Sequence, residues 1–148
     1  MPSDFCLKCK GCCRFSEQDS VWLPRLLDQE TEFGGKDKKI KAIPTKEGFS
    51  CFFLSPAENK CQIYAKRPLE CQLYPFLINL QGKEVFLAVD LNCPFASEHL
   101  TQPEFQEYVE YLKDFLNSPE QLEALKRNPQ ILQSYEGVHD LLSLEIEP

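Results

Sequence analysis

Apolar and polar positions follow two different periods along this chain, and the change of period divides it. Phe49 to Leu54 is a short aromatic-rich run that predicts a strand, and Ser55-Pro56-Ala57-Glu58-Asn59 predicts a turn. A second short strand is expected from Cys61 to Tyr64, then a helical turn over 66–71 with Pro68 near its start. Phe76 to Leu80 and Glu84 to Leu91 are apolar runs around Gln81-Gly82-Lys83, the pattern of a β-hairpin. Beyond residue 100 the period becomes helical. Phe105, Tyr108, Val109, Leu112, Phe115 and Leu116 recur at helical spacing behind Thr101-x-x-Glu104, which has the form of a capping box. Ser118-x-x-Gln121, with Pro119 at the first helical position, opens a second helix that runs through Arg127 and stops at Asn128-Pro129. A weaker segment around Ile131 to Leu142 completes this helical end. Near the start, Val21, Trp22, Leu26 and Leu27 supply the apolar face of a helix over 16–30, capped by Ser16 or Asp19 and starting or bending at Pro24. Residues 34–48 read as a polar loop.

The expected fold class is α+β: a small cysteine-rich metal-binding core with short β-hairpins and a C-terminal helical cap. A chain of 148 residues fits one domain. Within it, residues 1–100 form the cysteine-cluster core and 101–148 a helical extension packed on it. With 43% hydrophobic and 26% charged residues, wholesale disorder is excluded. The net charge of −7 argues against nucleic acid or an anionic membrane surface as partner. The lysines between Lys36 and Lys41 are read as a solvated loop. No stretch approaches the roughly 18 apolar residues of a membrane span. Met1-Pro2-Ser3-Asp4-Phe5 has neither the basic nor the apolar region of a secretory signal, so a cytoplasmic location is expected. In that reducing compartment, eight cysteines point to metal ligation rather than disulfides.

Those cysteines are Cys6, Cys9, Cys12, Cys13, Cys51, Cys61, Cys71 and Cys93. Two residues between cysteines let the chain turn so that both sulfurs face one centre, as in zinc knuckles and iron–sulfur loops. Cys6-x-x-Cys9-x-x-Cys12 repeats that spacing twice, the register of bacterial ferredoxins, and Cys93-Pro94 is a candidate for the distant Cys-Pro ligand. Cys12 and Cys13 are adjacent, so their side chains set out in different directions and serve either one multinuclear centre or two centres. Cys51, Cys61, Cys71 and Cys93 make a second group of four. Two closed four-thiolate sites is one arrangement; a single cluster with spare thiols is another. Lys8, Lys10, Arg14, Lys66 and Arg67 would offset the thiolate charge and lower the thiol pKa values. His99 and His139, the two histidines, are not needed as ligands.

From Cys6 to Pro94 the sequence resembles the YkgJ-like cysteine-cluster family, a zinc- or iron-chelating domain. The resemblance lies in Cys6-x-x-Cys9-x-x-Cys12-Cys13, in Cys51-Phe52-Phe53-Leu54, and in Cys61-Gln62-Ile63-Tyr64-Ala65-Lys66-Arg67-Pro68-Leu69-Glu70-Cys71-Gln72-Leu73-Tyr74-Pro75-Phe76. It implies metal chelation by these cysteines. It also draws attention to Tyr64, Arg67 and Tyr74, which are expected to pack beside the centre, and to Pro68 and Pro75, which fix the backbone near the ligands. The cysteine motif is similar to that of flagellin lysine methylases, which implies an iron–sulfur centre and methyl transfer in that branch. This chain is shorter and has no glycine-rich strand–helix turn for a cofactor.

The leading expectation is a protein holding an iron–sulfur centre (4Fe-4S) or iron through clustered cysteines, in redox chemistry or cluster handling. One alternative is a structural zinc protein whose C-terminal helices bind a protein partner. The other is a metal-dependent enzyme of methyltransferase type. No catalytic residue is singled out.

Overall fold

The computed structural model describes residues 13–34 and 37–148. The chain divides into two compact units, Met1–Leu73 and Tyr74–Pro148. Both strands and helices are present, the sheets are small and antiparallel, and the fold is α+β.

In the first unit, strand β1 (Arg14–Phe15), β2 (Ala42–Thr45) and β3 (Gly48–Cys51) form a three-stranded sheet with β3 in the middle. Gly48 is what lets β1 approach. It sits at φ +139°, and a Cβ there would stand 2.8 Å from the Phe15 carbonyl oxygen. Strand β4 (Leu54–Ser55) pairs with β5 (Lys60–Cys61) across the predicted turn, where Asn59 takes a left-handed conformation at φ 50°. A 3-10 turn (Tyr64–Lys66) and the short helix α1 (Leu69–Leu73) follow, the helix opening directly after Pro68. Phe15, Leu23, Leu26, Ile40, Ala42, Cys51 and Leu54 form the core of this unit.

The helix expected over 16–30 is corrected. Residues 24–26 are extended instead. The Leu26 N–H donates to the Lys38 carbonyl at 2.8 Å, and the Pro24 carbonyl accepts from the Ile40 N–H at 3.0 Å. Pro24 has no N–H to continue a helix, and pairing with 38–40 satisfies the neighbouring backbone. A 3-10 segment (Asp28–Phe33) then begins, with the Glu30 carboxylate accepting the Leu27 N–H at 2.9 Å. The polar loop expected over 34–48 likewise contains this pairing and β2, and it buries Ile40 and Ala42.

In the second unit, β6 (Phe76–Gln81) and β7 (Glu84–Val89) form the predicted hairpin, turning at Gly82 with φ 63°. Strand β8 (His139–Ser143) pairs with β7, with an irregularity between Leu87 and Ala88. Helix α2 (Pro94–His99) adds to the expected elements, and Pro94 sits in its first turn. Helices α3 (Pro103–Leu116) and α4 (Pro119–Arg127) match the helical period. The buried face of α3 is Phe105, Val109, Leu112 and Leu116, the spacing of one helical stripe.

Two local expectations fail here. The capping box at Thr101 does not form: the N-cap falls at Gln102, without a side-chain bond, because Pro103 takes the first helical position. Ser118 does cap α4, accepting the Gln121 N–H at 3.4 Å. Nor does the helical end continue over 131–142. A 3-10 turn (Pro129–Ile131) and a positive φ of 74° at Gly137 break it, and the segment 139–143 instead completes the sheet. Asn79, fully buried, fastens this return. Its amide donates to Asp140 Oδ1 at 2.9 Å and its oxygen accepts the Tyr135 N–H at 2.9 Å.

Candidate metal centre

A thiolate site is assembled from backbone turns, because cysteine is too short to reach far from the chain. In the first unit the turns bring two parts of the sequence together. The Cys51 N–H donates to the Cys13 carbonyl at 2.9 Å, so the last cysteine of the amino-terminal motif lies beside the end of β3. Cys51 is buried at 8% exposure, and its Sγ accepts the Phe53 N–H at 3.4 Å. Cys61 lies on β5 opposite Leu54, three residues along from Cys51, and Gln62 N–H continues the pairing to the Phe53 carbonyl at 2.8 Å. Cys71 lies on α1; Cys13, Cys61 and Cys71 are all half-buried.

Arg67 ties the segment between Cys61 and Cys71 together. Its Nε donates to the Tyr64 carbonyl at 3.0 Å and its Nη1 to the Cys71 carbonyl at 3.4 Å. Its guanidinium lies 3.9 Å over the Tyr64 ring. Arg67 and Tyr64 therefore pack on each other and fix the turn that leads into the Cys71 helix.

Behind that helix stands a group the sequence did not single out. Glu70 Oε2 accepts the Arg25 N–H at 2.7 Å, and Glu30 Oε2 accepts the Leu69 N–H at 2.7 Å. Arg25 is buried, with Nη1 on the Leu23 carbonyl at 2.7 Å. Glu70 is half-buried as a residue, but its carboxyl is enclosed. Burial pushes its pKa up to about 7, against the lowering hydrogen bond and charge of Arg25; Glu30 adds to the rise. No periodicity or spacing marks Arg25, Glu30 and Glu70, because Glu70 lies 45 residues from Arg25 and the hydrogen bonds that join its helix to that segment exist only in the fold.

Cys93 belongs to the second unit and is 2% exposed. Its N–H donates to the Asp90 carbonyl at 3.2 Å, and it is the N-cap residue of α2. Tyr74, which precedes Pro75 through a cis peptide bond, donates its hydroxyl to Asp90 Oδ2 at 2.7 Å. His99 stacks on Phe95 at 4.2 Å and places Nδ1 2.7 Å from the Phe95 carbonyl; His139 is exposed. Cys6, Cys9 and Cys12 lie outside the described residues. Among the described residues, no three Cys, His, Asp or Glu side chains form a group that could hold a metal ion.

Cysteine sulfur is the donor type that suits a soft or borderline metal, and among the described cysteines Cys51 carries a backbone N–H on its sulfur. The profile of the CxxCxxCC family, described as "Putative zinc- or iron-chelating domain", matches residues 5–94. The chain belongs to this family. The CxxCxxCC region thus ends just after Cys93, and α3 and α4 lie beyond it. The uncharacterized protein MJ0661 of Methanocaldococcus jannaschii is similar, 28% identical over 98 residues that cover 58% of this chain and 52% of the relative. The match therefore spans about half the length of that relative. No solved structure matches the chain. Family membership supports metal chelation by the CxxCxxCC region without distinguishing zinc from iron.

Proposed function

We propose that this CxxCxxCC protein holds an iron–sulfur centre, of 4Fe-4S type, through thiolates of Cys6, Cys9 and Cys12 together with cysteines of the later group. The observation that supports this reading most is the hydrogen bond from Cys51 to Cys13, which joins the amino-terminal motif to the strand carrying the next cysteine. Cys13, Cys51, Cys61, Cys71 and Cys93 are the further ligand candidates. Such a centre supplies one-electron transfer, with a potential set by burial and by hydrogen bonds to sulfur of the kind Phe53 makes. The fitting role is electron transfer or cluster handling in a reducing, cytoplasmic setting. Anaerobic purification tests the reading. Brown protein with broad visible absorption, and iron matched by acid-labile sulfide, is the expected result. Colourless protein containing zinc overturns it.

A second reading has zinc stapling the fold while the C-terminal helices bind a partner. One observation favours it: α3 exposes Tyr111 at 60% and Tyr108 at 43%, with Glu107 and Asp114 exposed on the same helix. Aromatic faces among carboxylates suit a protein segment rich in arginine. On this reading Tyr111→Ala weakens binding of an oligo-arginine peptide in a fluorescence titration, whereas unchanged binding removes the surface from consideration.

A further inference from the structure

Asp90 makes more hydrogen bonds than a turn between a strand and a helix requires. Its Oδ1 accepts the Asn92 N–H at 3.0 Å, closing an Asx turn. Its Oδ2 accepts the Tyr74 hydroxyl at 2.7 Å. Its main chain is held at both ends, the N–H by the Pro75 carbonyl at 2.9 Å and the carbonyl by the Cys93 N–H at 3.2 Å. The residue is 5% exposed. Burying a carboxylate is costly, and an exposed Asx turn would avoid that cost. What aspartate provides here is two acceptor oxygens that hold two donors at once. The consequence falls on Cys93, because residues 90–93 form one hydrogen-bonded turn whose last member is that buried cysteine.

We propose that Asp90, braced by Tyr74, is the positioning residue for Cys93: it fixes the turn that aims this thiol for metal ligation. The inference rests on Cys93 being one of the thiolate ligands, as proposed above. Asp90 acts through geometry and touches no metal. Tyr74 then has a definite task, bracing the Asp90 turn from the preceding Tyr-Pro step. Residues that orient a ligand in this way commonly carry a 10- to 100-fold share of metal affinity.

The test uses the full chain, loaded anaerobically with Co(II), and reads both the visible ligand-field spectrum and the Co(II) affinity against a competing chelator. Asp90→Ala is expected to weaken Co(II) binding about 10- to 100-fold and to shift the spectrum. Asp90→Asn is expected to restore both largely, because its oxygen can keep the Asx turn while its amide donates to the Tyr74 oxygen. Tyr74→Phe, which removes a single oxygen, gives a smaller shift in the same direction and serves if Asp90→Ala does not fold. Asp140→Ala is the structural control. It removes the partner of Asn79 and Gln81 in the same unit and should lower stability without moving the spectrum. An unchanged spectrum and affinity in both Asp90→Ala and Tyr74→Phe, or an equal shift in Asp140→Ala, overturns the inference. Cys93→Ser separates the two levels. If it leaves the wild-type spectrum and stoichiometry intact, the positioning role fails while metal binding by the other cysteines stands. A wild-type chain that takes up no Co(II), zinc or iron removes both.

Discussion

Glu70 has an enclosed carboxyl whose pKa is raised from the ordinary 4.5 to about 7, chiefly by burial. The sign of its effect on stability follows. Between these two values the native state holds a proton that the unfolded chain has lost, so stability falls as pH rises through this window. Above it both states are ionised and the full cost is present, on the order of 3 kcal/mol. For the metal-free protein, urea unfolding followed from pH 4.5 to 8 should show decreasing stability, with much of the slope removed in Glu70→Gln. That variant keeps an oxygen to accept the Arg25 N–H. A Glu70→Gln chain with the same slope as the wild type would assign the pH dependence to other groups. At this scale the sequence marks the cysteines and, through the family resemblance, Tyr64, Arg67 and Tyr74, but not Arg25, Glu30, Glu70 or Asp90. Cys6, Cys9 and Cys12 stand out by their repeated two-residue spacing alone. Asp90 is 16 residues from Tyr74 and Glu70 is 45 from Arg25. No local pattern connects such pairs.

The elements depend on a few positions where backbone or polar chemistry leaves little choice. Gly48 is one, since its φ of +139° and the nearby Phe15 carbonyl leave no place for a Cβ. Gly48→Ala should separate β1 from β3, at a cost of about 1–3 kcal/mol for the backbone conformation alone. Because Cys13 directly precedes β1, metal content per chain after anaerobic loading should fall with it; full metal content in a folded Gly48→Ala protein would show that the β1–β3 contact is dispensable. Asn79 plays the corresponding part in the β6–β7–β8 sheet. Asn79→Ala leaves the Tyr135 N–H and the Asp140 carboxylate each short of a partner, and should cost about 2 kcal/mol or more in urea unfolding. The same positions explain which elements could be read from sequence. Helices α3 and α4 follow from period and prolines, and the β6–β7 hairpin from two apolar runs around Gly82. The pairing of 24–26 with 38–40 and the return of β8 onto β7 are long-range choices. In both, backbone satisfaction by a distant partner outweighs a helical-looking pattern.

At the scale of the molecule, the chemistry and the bulk of the regular structure are unequally shared. Seven of the eight cysteines, Cys6 through Cys71, fall in Met1–Leu73, whose described strands are two to four residues long. Such short elements bury little surface, and a bound metal that recognises only the folded state adds stability by mass action. The unit Tyr74–Pro148 has six-residue strands, a 14-residue helix and its own buried set, including Leu87, Leu116, Leu125 and Ile131. Its stability should depend far less on metal. Hydrogen exchange on the loaded chain and after anaerobic chelation checks this residue by residue. Removing the metal should strip protection from amides that hold the cysteine segments, such as Cys51 and Gln62. The amides of β7 and α3 should lose little, with changes concentrated around Cys93. Equal loss in both units would mean that they unfold as one cooperative block, and uniform retention would mean that the first unit is held by its apolar core alone. Only the uneven pattern matches a fold in which the thiolate-rich half depends on its ligand and the other half on hydrophobic packing.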